Sequence, residues 1–157
     1  WIVWGGGDLA GKGGPIYGPR VFRELMLPRV RKLTAFCHRL GLVYVYRTDG
    51  DLWPIEQEFF VESDIDAYGE IDCEAGMDLD RLKPRHGERI AFWGNVPCGT
   101  VLRRGTAQEV AEFTQHIIDV AAPGGGLILG SSNSIMPGTP AENVLAMVET
   151  ALEYGRY

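Results

Sequence analysis

Apolar positions along this chain alternate between short continuous runs, each closed by glycine or polar residues, and longer stretches with apolar residues three and four apart. The first run, Ile2 to Trp4, predicts a strand, and a glycine-rich loop from Gly5 to Gly18 follows it. A helix is expected to open at Pro19, because proline at a first helical position gives up no hydrogen bond. Val21, Phe22, Leu25, Val30, Leu33, Cys37 and Leu40 keep helical spacing through it, with a kink expected at Pro28 and an end at Gly41.

The same strand-then-helix order recurs. Further strands are predicted at Leu42 to Tyr46, Ile65 to Ile71, Arg89 to Trp93 and Gly126 to Gly130, with helices from Pro54, near Leu79 to His86, from Thr106 to Ala121 and from Pro140 to Tyr154. Thr106 with Glu109 has the spacing of a capping box, and Thr139 with Glu142 is read as a second one around Pro140. About five such units predict a parallel α/β arrangement, part of a TIM (β/α)8 barrel, since a closed barrel takes eight units in roughly 250 residues.

Loop lengths divide the two ends of this arrangement. Helix-to-strand connections are short, as at Gly41 and Gly87-Glu88, whereas the strand-to-helix connections Gly5 to Gly18, Arg47 to Trp53, Glu70 to Asp78, Gly94 to Gly105 and Gly130 to Gly138 are long and polar. Long loops on one rim are what a barrel active site requires, so chemistry is expected there.

Composition narrows the partners. The 157 residues, 45% hydrophobic and 23% charged, are sufficient for one domain with a core. A formal charge of −6 argues against an extended nucleic-acid surface, which needs an excess of lysine and arginine. No apolar run approaches the roughly 20 residues of a membrane helix. Three widely spaced cysteines give neither a disulfide framework nor a metal knuckle, and a cytoplasmic location is expected. The opening Trp1-Ile-Val-Trp4 reads as the inside of a larger protein, so a fragment is expected, one that either pairs as a homodimer or is completed by a missing N-terminal part.

Arg47 and Asp49 fall just past a predicted strand end. A guanidinium there can clamp a carboxylate and an aspartate can act as a base, or the two can pair with each other or cap the helix at Pro54. Glu70, Asp72 and Cys73 follow the third strand, where alternation places Glu70 and Asp72 on one side and Cys73 on the other; Glu70 is the favoured site residue. Cys73 and Cys98 have no histidine near them in sequence and read as inert, and His38, His86 and His116 read as structural. Gly5 to Gly14 invites a phosphate-loop reading, but Gly13 follows Lys12 where a hydroxyl residue belongs, which leaves a mobile loop or lid carrying Asp8.

Taken together, Gly7-Asp-Leu-Ala10, Gly14-Pro-Ile-Tyr-Gly-Pro19, Asp49-Gly-Asp-Leu-Trp-Pro-Ile55, Gly94-Asn-Val96 and the Pro-Gly-Thr-Pro-x-Glu-Asn core within Gly124 to Tyr157 resemble the uroporphyrinogen decarboxylase superfamily, which also includes the methylcobamide:coenzyme M methyltransferases. The resemblance runs through residues 1–157 and implies the C-terminal portion of a (β/α)8 barrel. It implies an enzyme that decarboxylates a tetrapyrrole or related acidic small molecule without a cofactor. Asp8 and Glu70 are then the expected catalytic acids or bases, with Arg47, Asp49, Asn95 and Asn133 binding substrate and no metal bound. The alternative the resemblance carries is a methyltransferase with zinc and a corrinoid partner. Its zinc is held by a His-x-Cys pair and a later cysteine, positions that here match Arg47, Asp49 and Asn133. A further expectation is a catalytically incomplete fragment that self-associates.

Overall fold

A computed structural model describes residues 1–155. Five parallel strands form one sheet in the order β1 (Ile2–Gly6), β4 (Val43–Arg47), β5 (Ala67–Gly69), β6 (Ala91–Val96) and β7 (Leu127–Ser131). The predicted units are therefore present, each strand beside its successor, as in a partial barrel. A hairpin of β2 (Ala10–Gly11) and β3 (Gly14–Pro15) occupies the first strand-to-helix connection.

The helical layer runs through α1 (Gly18–Val21), α2 (Leu27–Arg39), α3 (Leu79–His86), α4 (Val101–Arg104), α5 (Ala107–Ala121) and α6 (Ala141–Tyr154). Pro28 does not kink the middle of a helix. It stands in the first turn of α2, and the π-helical turn Phe22–Met26 precedes it, so the hydrogen bond that proline cannot make is lost where the ladder already changes pitch. The helix expected from Pro54 is instead a 3-10 turn, Trp53–Ile55, and a π-helical segment, Gln57–Glu62.

Strand β5 keeps only the centre of the predicted Ile65 to Ile71. Asp64 and Glu70 on its flanks have φ of 63° and 66°, left-handed values that stop extended pairing on both sides. Strand β6 starts and ends later than Arg89 to Trp93. Thr106 and Glu109 form the predicted capping box, but Thr139 and Glu142 do not. Pro140 is the N-cap of α6, and the Thr139 hydroxyl, one residue outside, donates to the Met136 carbonyl at 2.8 Å.

The two faces of the sheet have opposite fates. Tyr44, Tyr46, Tyr68 and Phe92 point to the helices and are buried, and Phe59 lies among them with ring centroids 5.4 Å from Tyr46 and 5.5 Å from Tyr68. Residues of the other parity, among them Ile2, Trp4, Arg47, Gly69, Trp93 and Ile128, line the inner, concave side. Ile2, Trp4 and Ile128 there are exposed, and the outer edges of β1 and β7 pair with no strand among the described residues.

The hairpin is not a loose lid. Leu9 N donates to Thr48 Oγ1 at 3.0 Å, Asp51 N donates to the Gly11 carbonyl at 2.9 Å, and Leu9 and Ala10 are buried. Gly50, at φ 81°, lets the two loops close: a Cβ there would stand 2.6 Å from the Ala10 carbonyl carbon.

Candidate functional site

The C-terminal ends of the strands gather the long loops on one rim. Register puts Arg47 opposite Gly69 and Gly69 opposite Trp93, so three neighbouring strands contribute one row on the inner face. Gly69 leaves the middle of the row empty, since a Cβ would stand 3.2 Å from Arg47 Cγ and 3.6 Å from Trp93 Cβ. Arg47 lies over that gap, its guanidinium carbon 4.7 Å from the Trp4 ring centroid and 5.4 Å from that of Trp93.

Glu70 completes this group. Its carboxylate accepts from Arg47 Nη2 at 2.5 Å, with both side chains mostly buried. The ion pair is thus between Arg47 and Glu70, not between Arg47 and Asp49. Glu70 holds it from a left-handed backbone conformation that costs a non-glycine residue free energy; surroundings that enforce such a conformation are common at functional sites. Asp64 shares the conformation at the opposite rim, so strain alone does not single out Glu70.

Asp49 turns toward the last loop. Asn133 Nδ2 donates to Asp49 Oδ2 at 3.2 Å, and Asn133 Oδ1 accepts from Ser134 N at 2.7 Å. Burial pushes the Asp49 carboxyl above its ordinary pKa, and the nearby negative charges of Asp8 and Asp72 push it further. Asp49 does not cap the turn at Pro54: its N-cap is Leu52, which makes no side-chain cap bond, and Asp51, one residue earlier, accepts from Trp53 N at 2.9 Å.

Two clefts adjoin these groups. One, of about 300 Å³, is lined by Arg47, Glu70, Trp93, Ser131 and Asn133; the other, of about 400 Å³, by Asp49, Asp72, Cys98, Ser132 and Asn133. Asn133 borders both. Cys98 N donates to Ser132 Oγ at 3.1 Å and ties the loop after β6 to the loop after β7.

The structure thus brings Arg47, Glu70, Asp49 and Asn133 to one rim and leaves Asp8 exposed beside it. It separates Asn95, which lines a cleft between α3 and α5 on the helix side and neither of the two clefts that Asn133 borders. Strand alternation also fails for the loop after β5, because pairing stops at Gly69. Asp72 caps the 3-10 turn Cys73–Ala75 by accepting from Glu74 N at 3.0 Å, and Cys73 joins Asn95 in the helix-side cleft. Burial, then the negative charges of Asp78, Asp72 and Glu74, push the Cys73 thiol up to about 11, as an inert cysteine requires.

Each histidine is paired with a carboxylate, His38 with Asp66 at 2.9 Å, His86 with Glu56 at 3.0 Å and His116 with Asp80 at 3.0 Å. Trp4 and Trp93 went unnoticed in the sequence, although their place at inward positions of predicted strands was a usable signal. Among the described residues no three His, Cys, Asp or Glu side chains are grouped to hold a metal ion. The positions matched to a zinc site do not fit one: Arg47 is a cation paired with Glu70, and Asn133 spends its N–H on Asp49, the only anionic donor of the three.

Among the described residues no helix is long and apolar enough to cross a membrane. The sequence profile of the family described as Uroporphyrinogen decarboxylase (URO-D) matches residues 12–154. Uroporphyrinogen decarboxylases of Coxiella burnetii, strains Dugway 5J108-111 and RSA 493 / Nine Mile phase I, are each 24% identical over 147 residues, which is 90% of this chain and 38% of theirs. In fold, a methyltransferase from Methanosarcina mazei superposes with a TM-score of 0.76 at 22% identity over 99% of this chain and 42% of its own. The chain therefore spans about two fifths of the length of the proteins it resembles. With a profile match that takes in most of its length and a rim built where a barrel's site lies, this chain belongs to the uroporphyrinogen decarboxylase family.

Proposed function

We propose that the rim of Arg47, Glu70, Asp49 and Asn133 is the C-terminal share of a decarboxylase site for a tetrapyrrole or related acidic small molecule. The observation that carries this reading is the part-buried Asp49, raised in pKa and held by the Asn133 amide at the mouth of a cleft. When a carboxylate leaves as CO2, the electron pair of the broken C–C bond stays on carbon and needs a proton. A carboxyl group that keeps its proton more readily than an ordinary aspartate is suited to supply one.

Arg47 offers the remaining N–H groups of its guanidinium to a substrate carboxylate, while Glu70 and the two indoles fix its direction. Asp8 acts by its charge on Asp49, and Asn133 orients the acid. In this reading the reaction runs in the cytoplasm without a cofactor, and further βα units of the barrel cover the inner face.

The test uses the full-length protein that contains this segment, assayed for CO2 release from an acidic porphyrinogen and, in parallel, for methyl transfer from a methylcorrinoid to a thiol. Asp49→Asn is expected to lower kcat for decarboxylation by about 10²-fold or more with little change in KM, the usual scale for a lost general acid. Thiol methylation, together with stoichiometric zinc that Asp49→Ala removes, would instead establish the methyltransferase chemistry.

A further inference from the structure

Trp93 stands on the inner face of β6 with a glycine close to it on each neighbouring strand. A Cβ on Gly69 of β5 would stand 3.6 Å from Trp93 Cβ and 3.7 Å from its Cε3, and one on Gly130 of β7 would stand 3.1 Å from its Nε1. The indole therefore takes room that side chains on both neighbours would otherwise fill. Behind the sheet, Tyr44, Tyr46 and Tyr68 pack against other aromatic rings. Among the described residues Trp93 pairs with no aromatic ring, and its one cation contact is Arg47.

This indole lines the cleft of about 300 Å³ that also takes in Arg47, Glu70, Ser131 and Asn133, whereas Trp4, on the far side of the guanidinium, is not part of its lining. Glu70 accepts from Arg47 Nη2, which leaves the other N–H groups of the guanidinium for an acid. The guanidinium carbon is 5.4 Å from the Trp93 ring centroid. A carboxylate held by Arg47 thus brings the group that carries it beside the indole, and the short gap leaves little room for a spacer. A flat conjugated ring there meets the indole within the roughly 4.5 to 7 Å at which ring centroids attract each other, whereas a saturated ring gains contact area alone.

We propose that Trp93 is a specificity-determining residue of the rim and selects an aromatic carboxylate, its ring against the indole and its acid group on Arg47. This assignment rests on Arg47 being the acid clamp proposed above, and it narrows the substrate to an acid whose carboxylate stands on a flat conjugated ring.

The test uses the full-length protein that contains this segment and measures by calorimetry the binding of benzoate, of its saturated counterpart cyclohexanecarboxylate and of uncharged benzamide. Benzoate is expected to bind about three- to tenfold more tightly than cyclohexanecarboxylate, the range that one ring-to-ring contact supplies. Burial of hydrocarbon alone would favour the saturated acid, which carries more apolar surface. Trp93→Leu should abolish the preference for the flat ring and leave the preference for acid over amide, and Trp93→Phe should keep part of the first. If neither variant folds, the wild-type comparison of the two acids decides. Cyclohexanecarboxylate binding as tightly as benzoate, or a ring preference that survives Trp93→Leu, would overturn the proposal and leave the clamp standing. Equal binding of benzoate and benzamide would overturn the clamp and this assignment with it. Both preferences without any release of CO2 would support the assignment and count against decarboxylation alone.

Discussion

Asn133 reaches across 84 residues of chain to donate to Asp49, and this single bond joins the loop after β4 to the loop after β7 over the top of the intervening strands. It also meets the carboxylate whose pKa is raised by burial and by its acidic neighbours. The bond favours the ionised form of Asp49 but is outweighed by burial and by the charges of Asp8 and Asp72.

A pH dependence follows from that balance. A carboxyl with a raised folded-state pKa contributes stability below the ordinary value of 3.8, and the contribution is lost as pH rises through the folded-state value. Asp49→Asn keeps an oxygen for Asn133 and removes the charge. Its stability relative to the wild type is expected to increase between pH 4 and pH 7, measured by urea unfolding at each pH. A gap that narrows over that range would contradict the assignment.

Gly50 is expected to tolerate no side chain. In Gly50→Ala the new Cβ meets backbone atoms of Ala10 and Gly11 at 2.6 to 2.8 Å from a left-handed conformation, so the hairpin must detach or the loop must shift. A loss of about 1–3 kcal/mol is expected from overpacking and backbone strain. Hydrogen exchange should show the Leu9 amide losing protection while the strand amides keep theirs.

Tyr68 buries a hydroxyl that has no hydrogen-bond partner among the described residues. Tyr68→Phe removes the unsatisfied group and keeps the ring against Phe59 and Phe60, so it should stabilise the chain by about 1 kcal/mol. Chemical denaturation reads the change, and a loss of stability would mean that the hydroxyl is satisfied in solution.

The two threonines ahead of α5 and α6 should separate sharply. Thr106→Ala breaks a complete capping box and is expected to cost about 1 kcal/mol, whereas Thr139→Ala removes no helix cap and should cost less. Paired thermal melts of the two variants check the order.

The strand–helix alternation was legible because glycine and proline punctuate it and because apolar spacing changes from continuous to helical at each boundary. The short length of β5 was not, since nothing in the letters of Asp64 and Glu70 announces a positive φ. Arg47 and Asp49 were recognisable as rim residues from their place after a strand. Their partners were not, because Glu70 and Asn133 become neighbours only through the parallel register of β4 to β5 and the curl that brings the last loop round. Asn95 and Asn133 read alike in the sequence as orienters of one substrate, but Asn95, paired with Gly130 within β6, lines the cleft against α3 and α5 and neither cleft that Asn133 borders.

Gly69 bears no functional group and yet decides where the cation of this site lies. With a bare backbone at Gly69, Arg47 Cγ passes within 3.2 Å of where a Cβ would stand, and the guanidinium lies between the indoles of Trp4 on β1 and Trp93 on β6. Position 69 is thereby a tuning point: a methyl there would press on Arg47 Cγ from 3.2 Å and shift that side chain slightly, and a larger group would also take up the space a substrate needs. Relatives that differ at this one position should differ in which anions they accept, even with every charged residue unchanged.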